Sequence, residues 1–249
     1  MGIELNSRSN SRAQLAGQTP IQATPNTIPQ QNIPQQAPLM QQPAPQAMTS
    51  QFTAPQAQAG GGLQLAKGQK MDLTKGNPGL TSILVGLGWD TNAYGGHQYD
   101  LDTTAFLLDA SGRVLSQQHV VFYNNLFSPD GAVRHNGDNR TGQGDGDDES
   151  VTIQLSQVQQ EVQKIVFVVT IDQAMMRGQN FGQVSNAYIR VADVNGTPLC
   201  RYDLTEDYSS SISVIVGEVY RHGGEWKFGA IGQGSQLDLG GHCAQFGAI

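Results

Sequence analysis

Five carboxylates, Asp138, Asp145, Asp147, Asp148 and Glu149, fall within twelve residues of the glycine-rich stretch His135–Glu149, and Arg140 is the one basic residue facing them. Two carboxylates about 4 Å apart repel by roughly 1–4 kcal/mol, depending on the local dielectric. Several gathered around one point therefore call for a cation, and the donor types select which. Calcium takes about six to eight hard oxygens in loose geometry, backbone carbonyls included. Gly137, Gly142, Gly144 and Gly146 let the loop wind so that carbonyls can turn inward. Soft metals would want Cys or His, and magnesium keeps more of its own water.

The spacing of Asp138 and Glu149 matches the first and last positions of an EF-hand loop. That motif nevertheless fails, because Gln143 stands where its glycine is needed and Arg140 and Gly142 stand at two ligand positions. Further acids lie beside other predicted strand ends: Asp90 follows Trp89, and Asp100 and Asp102 flank Leu101. In a sandwich of two sheets the loops at one end converge, so these three are expected to complete one or two cation sites. Catalytic constellations are harder to find. His97, His119, His135, His222 and His242 are scattered singly, with no Ser/His/Asp or Cys/His arrangement and no multi-histidine cluster for a two-metal hydrolase. The expectation is a protein that is not an enzyme.

The elements that would position these acids are strands. Runs rich in Val, Ile, Phe and Tyr recur between turn signals at 82–89, 104–108, 119–123, 151–155, 164–171, 187–194, 201–204, 212–220 and 225–231. Val151, Ile153 and Leu155 alternate with polar partners, the period of a half-buried strand. Residues 156–164 read as one short helix capped by Ser156, with Val158 and Val162 on a shared face. Thirty glycines, with no long amphipathic helix and no βαβ alternation, predict an all-β, two-sheet antiparallel β-sandwich. Trp89, Trp226 and Phe228 are expected in its core, and Met175-Met176 in a packed turn.

Composition divides the chain at Gly60-Gly61-Gly62. Eight of the eleven prolines lie between Pro20 and Pro55, and residues 1–62 carry one acid and three charges in all. Such a segment cannot bury enough apolar surface to offset its ordering entropy, so 1–62 is expected as a disordered Pro/Gln-rich tail and 63–249 as the folded domain. The domain holds twenty acids against twelve basic residues, a net charge near −8, which disfavours nucleic acid as a partner. Two cysteines without a CxxC, no apolar run of membrane-spanning length and an N-terminus unlike a signal peptide point to the cytoplasm.

The order of these features resembles the TerD family of bacterial tellurium-resistance and general stress proteins. The matching stretches include LQLAKGQKMDLTKGNPGL (63–80), LGWD (87–90), DLDTTAFLLD (100–109), GDNRTGQGDGDDE (137–149), KIVFVVTI (164–171), QNFGQVSNAYIRVAD (179–193), RYDLTED (201–207) and EWKFGAIGQG (225–234). They cover nearly all of 63–234. The tail is atypical of the family, and residues from Ser235 onward match more weakly.

The resemblance implies a C2-like sandwich that binds calcium at one end. By motif, the ligand candidates are Asp138, Asn139, Thr141, Gly144, Asp145, Asp147, Asp148 and Glu149, with Asp90, Asp100 and Asp102 as the complement from neighbouring loops, and Arg140 bracing a carboxylate. It also implies a non-catalytic stress-response protein, implicated in resistance to tellurite and other toxic or phage-related stress. Such a protein would dock, once ordered by calcium, on partners of a tellurium-resistance or stress complex or on the inner face of the membrane. The rival expectation is a self-assembling scaffold that uses the tail and the sheet edges; a metal-dependent hydrolase is the weaker third.

Overall fold

A computed structural model describes residues 62–93, 95–144, 146–204 and 206–249; the proline-rich stretch singled out above lies outside them except for Gly62. Among the described residues two six-stranded sheets face each other. The first runs, edge to edge, through β1 (Leu63–Leu65), β10 (Pro198–Asp203), β9 (Tyr188–Asp193), β3 (Ser82–Gly88), β7 (Glu149–Gln154) and β6 (Val133–His135). The second runs through β2 (Lys70–Asp72), β12 (Glu225–Ser235), β11 (Ser213–His222), β8 (Lys164–Ile171), β4 (Leu101–Leu108) and β5 (Val120–Val121). Every pairing is antiparallel except β1 with β10. The all-β sandwich expected from the sequence is the fold observed.

Alternation explains which side chains meet. Val151 and Ile153 point from β7 into a core that also takes Ile83, Val85 and Leu87 of β3, Leu101, Ala105 and Leu107 of β4, Ile165, Phe167 and Val169 of β8, and the ring of Trp226. The same period puts Glu149 on the inward face, two residues before Val151, and it is buried accordingly.

Residues 156–164 do not form a helix. They make successive turns, with Gln157 N donating to Gln154 O and Val162 N to Gln159 O, as the chain crosses between the sheets. Arg221 explains this choice. Its guanidinium donates to Val158 O at 2.9 Å and, through Nε, to Val162 O at 3.1 Å, while stacking on the Trp226 ring. Those carbonyls thus find partners outside any helical ladder.

A second apolar cluster lies on β4, β8 and β11, where Phe106, Leu108, Val166, Val168 and Ile215 meet Leu239, Cys243 and Phe246 of the helix Leu239–Gln245. Asp238 caps this helix, accepting from Gly241 N at 2.8 Å. His242 is fully buried beneath it, with Nε2 2.8 Å from Ser213 Oγ, which in turn donates to Leu237 O. Burial lowers the pKa of His242. Cys200 and Cys243 are buried too, and desolvation pushes their thiols up to about 12 and about 11. No helix of the described residues is long and apolar enough to cross a membrane.

Candidate metal centre

Where β4 begins, the chain passes from Tyr99 through Asp100, Leu101 and Asp102; register pairs Leu101 with Ile171 and Asp102 with Thr170 of β8. The acidic loop between β6 and β7 folds over this point and contributes Asp138. Each of Asp100, Asp102 and Asp138 offers an oxygen, and these oxygens lie within 4.8 Å of one another. Asp100 and Asp102 are buried, whereas Asp138 is exposed.

Burial is the first cause that raises the carboxyl of Asp102, and the charges of Glu149, Asp100 and Asp138 add to it, carrying the pKa to about 9. Asp100 rises to about 6, again through desolvation first. Arg140 opposes that rise, and its Nε stands 3.4 Å from Asp100 Oδ2, the bracing contact expected of it.

Glu149 ties the loop to the strand. Thr103 N donates to its Oε2 at 2.7 Å and Asn139 N to its Oε1 at 3.4 Å. His135 Nε2 lies 3.6 Å from Oε2 without a hydrogen-bond partner of its own, and both side chains are buried.

The other predicted residues have separate duties. Asn139 organises the loop: its Oδ1 accepts from Thr141 N and Gly142 N, and its Nδ2 donates to Asp148 Oδ1 and Gln143 O. Thr141 Oγ1 accepts in turn from Gln143 N. Asp148 accepts from Trp89 N at 2.9 Å, fastening the loop to the end of β3. Gly144 sits in a positive-φ turn beside Asp148. Asp90 accepts from Asn186 Nδ2. Asp147 is held by Arg190 Nε at 2.7 Å and by the Tyr188 hydroxyl at 3.1 Å. Asp145 lies outside the described residues. The structure therefore gathers Asp100, Asp102 and Asp138, with Glu149 against Asp102, and gives Asp90, Asp147 and Asp148 other partners.

Sequence reasoning passed over Asp172. It follows β8 as Asp90 follows β3, its N donates to Asp100 O at 2.8 Å, and its charge bears on both Asp100 and Asp102. An acid placed just beyond a long apolar strand was the available signal. The cluster offers only hard oxygens, with two buried carboxylates forced together. That donor set suits a hard divalent cation, which would return these groups to their charged state at neutral pH.

Fold and site together describe a β-sandwich that collects acidic loops at one end of its sheets. Residues 62–246 match the TerD domain. The chain is 54% identical over 187 residues to General stress protein 16U of Bacillus subtilis (strain 168), covering 74% of this chain and 97% of that one. It is equally 54% identical over 186 residues to Tellurium resistance protein TerD of Serratia marcescens, with the same shares covered. The crystal structure of a homologue of the telluride resistance protein TerD from Streptomyces coelicolor A3(2) superposes with a TM-score of 0.55 at 26% identity, over 65% of this chain and 94% of that chain. The chain belongs to the TerD family.

Proposed function

We propose that this chain is a non-catalytic, calcium-binding stress-response protein of the cytoplasm that contributes to resistance against tellurite and related toxic insults. Asp100, Asp102 and Asp138 would hold the ion, with Glu149 and loop carbonyls completing its oxygen shell. The observation that carries the reading is the convergence of those three carboxylates within 4.8 Å at a partly buried point. Like charges kept that close in a desolvated setting are stable once a cation joins them. The names of the relatives, General stress protein 16U and Tellurium resistance protein TerD, support the stress role.

A bound ion would order the acidic loop and change the charge of this end of the sandwich, preparing it to dock on a partner protein or on a membrane. Assembly through sheet edges is less well supported. The four strands at the sheet edges, β1, β6, β2 and β5, have three, three, three and two residues, little template for pairing with another chain.

Calorimetric titration of calcium into the full-length chain, stripped with chelator, tests the reading. Saturable heat with a raised melting temperature is expected, and Asp102→Asn should remove both. A protein that binds only in its native state gains about 2.7 kcal/mol at a hundredfold excess over Kd. Absence of heat and of any melting shift would refute calcium binding.

A further inference from the structure

Met175 and Met176, expected in a packed turn, are 80% and 73% exposed, the two most exposed large apolar side chains among the described residues. They sit on the four-residue helix Ala174–Arg177, between two left-handed residues, Gln173 (φ 53°) and Gly178 (φ 62°). The backbone turns at both ends, and the pair is presented to solvent on the short helix between them. Gln173 is not a glycine, and a non-glycine residue in that region carries local strain.

This helix is fixed to the carboxylate end of the sandwich. Asp172, one residue before Gln173, donates its N–H to Asp100 O, and Arg177 pairs with the Asp172 carboxylate at 3.3 Å. Gln179, buried, donates from Nε2 to His97 O and Gln98 O at 3.0 and 3.3 Å, and its own N–H goes to Ala174 O. The two methionines thus follow Asp172 closely on a segment tied to Asp100 of the carboxylate cluster. Among the ion pairs of the described residues, Arg140 opposes Asp100 and Arg177 opposes Asp172.

We propose that Met175 and Met176 form a membrane-insertion tip, which enters an anionic lipid surface when a divalent cation held by the neighbouring carboxylates lifts the electrostatic repulsion. The inference rests on the cation-site reading given above. A protein partner is the poorer fit for the tip. Stable protein interfaces bury about 800 Å² per partner around aromatic or arginine anchors. A four-residue helix bearing two exposed, flexible thioether chains shortly after Asp172 offers no aromatic anchor, and its Arg177 is already paired with Asp172. A bilayer asks for less, since it accepts a small apolar protrusion at headgroup depth. One weak apolar anchor binds membranes only marginally and needs a second, electrostatic signal. The cation would provide it, making attachment conditional on both.

The test uses the full-length chain, sedimented with vesicles of phosphatidylcholine and phosphatidylserine in calcium or in chelator, with calcium heats measured in parallel. Wild type should pellet with the vesicles in calcium alone. Met175→Ser with Met176→Ser should reduce that partitioning about tenfold or more while calcium heats stay unchanged. Met175→Trp should shift its emission to the blue on vesicles, against a constant background from the buried Trp89 and Trp226. If the serine variant pellets as well as wild type, or the new tryptophan stays solvent-like, the tip assignment is overturned while the cation site stands. A chain that binds calcium yet ignores the vesicles overturns the membrane assignment and leaves a protein surface as the occupant. Loss of the calcium heat itself would overturn the cation-site reading, a separate failure.

Discussion

Asp147 Oδ1 accepts from Arg190 Nε at 2.7 Å, and the carboxylate occupies space that exists only because residue 86, on the strand beside Arg190, is glycine. A Cβ at Gly86 would collide with the Asp147 side chain. The acidic loop is therefore fastened to the outer face of the first sheet independently of the cluster at the start of β4.

Removing Arg190 should destabilise the fold and leave the cation site largely intact. Arg190→Ala leaves the 8%-exposed Asp147 carboxylate with the Tyr188 hydroxyl as donor. Because Arg190 is itself 27% exposed, the cost should fall between about 1 kcal/mol for an exposed pair and about 3–5 kcal/mol for a buried one. Urea unfolding of the two chains, alongside calcium titration, checks this. A loss under about 0.5 kcal/mol, on the scale of an exposed pair, would show the contact to be incidental.

Aspartate 102 and aspartate 147 should separate the two roles of the loop. Asp102→Asn removes a negative charge and one carboxylate oxygen from the cluster and is expected to abolish calcium heat. Asp147→Asn should lower the melting temperature and still bind. Equal loss of calcium heat in both variants would contradict the division drawn from their contacts.

Without a cation, stability should fall as pH rises. Asp102 keeps its proton in the folded chain up to about pH 9, because burial and neighbouring negative charges oppose ionisation, while the unfolded chain releases it near the ordinary carboxylate value of 3.8. Between those values the folded state binds more protons, so the slope of unfolding free energy with pH is negative. Urea midpoints in chelator should thus be higher at pH 5 than at pH 8, and Asp102→Asn should flatten the difference. Calcium displaces that proton, so its affinity should increase over the same interval. A wild-type slope that survives unchanged in Asp102→Asn would assign it to other groups.

A buried hydroxyl pins the C-terminal helix, alongside the bond that Val114 N donates to Phe246 O. Ser213→Ala leaves the buried His242 Nε2 and the Leu237 carbonyl without their hydroxyl, which should cost about 1–3 kcal/mol. Protection of amide hydrogens in 239–245 should fall along with it. Unchanged protection would place the anchorage in the apolar contacts of Leu239, Cys243 and Phe246 and in the bond from Val114 N to Phe246 O.

How much of this could be read beforehand depended on whether the signal was local. All nine apolar runs overlap a strand, because alternation and β-branched residues act over a few neighbours. The edge strands β1, β2 and β6 were missed: with three residues each they are too short to show a period. The helix Leu239–Gln245 hid behind Gly240 and Gly241, although Leu239, His242, Cys243 and Phe246 follow helical spacing. Residues 156–164 misled for the opposite reason: a sound local helix pattern was overridden by Arg221, some sixty residues away in sequence.

At the site, the loop was legible because its five acids fall within twelve residues. The partition of those acids was not, since it depends on Arg190, Tyr188 and Trp89 from other strands. Asp172 and the exposed methionines owe their place to a turn whose left-handed residue, Gln173, carries no glycine to announce it.

Both sulfhydryls of the chain are buried, Cys200 of β10 between the sheets and Cys243 of the helix Leu239–Gln245 against the outer face of the second sheet, where ionisation is disfavoured. Thiolates, not thiols, are what electrophiles and oxidants attack. A thiol-seeking poison would therefore find no ready thiolate on Cys200 or Cys243, and the sulfur that the described residues leave open to oxidants is the thioether of Met175 and Met176.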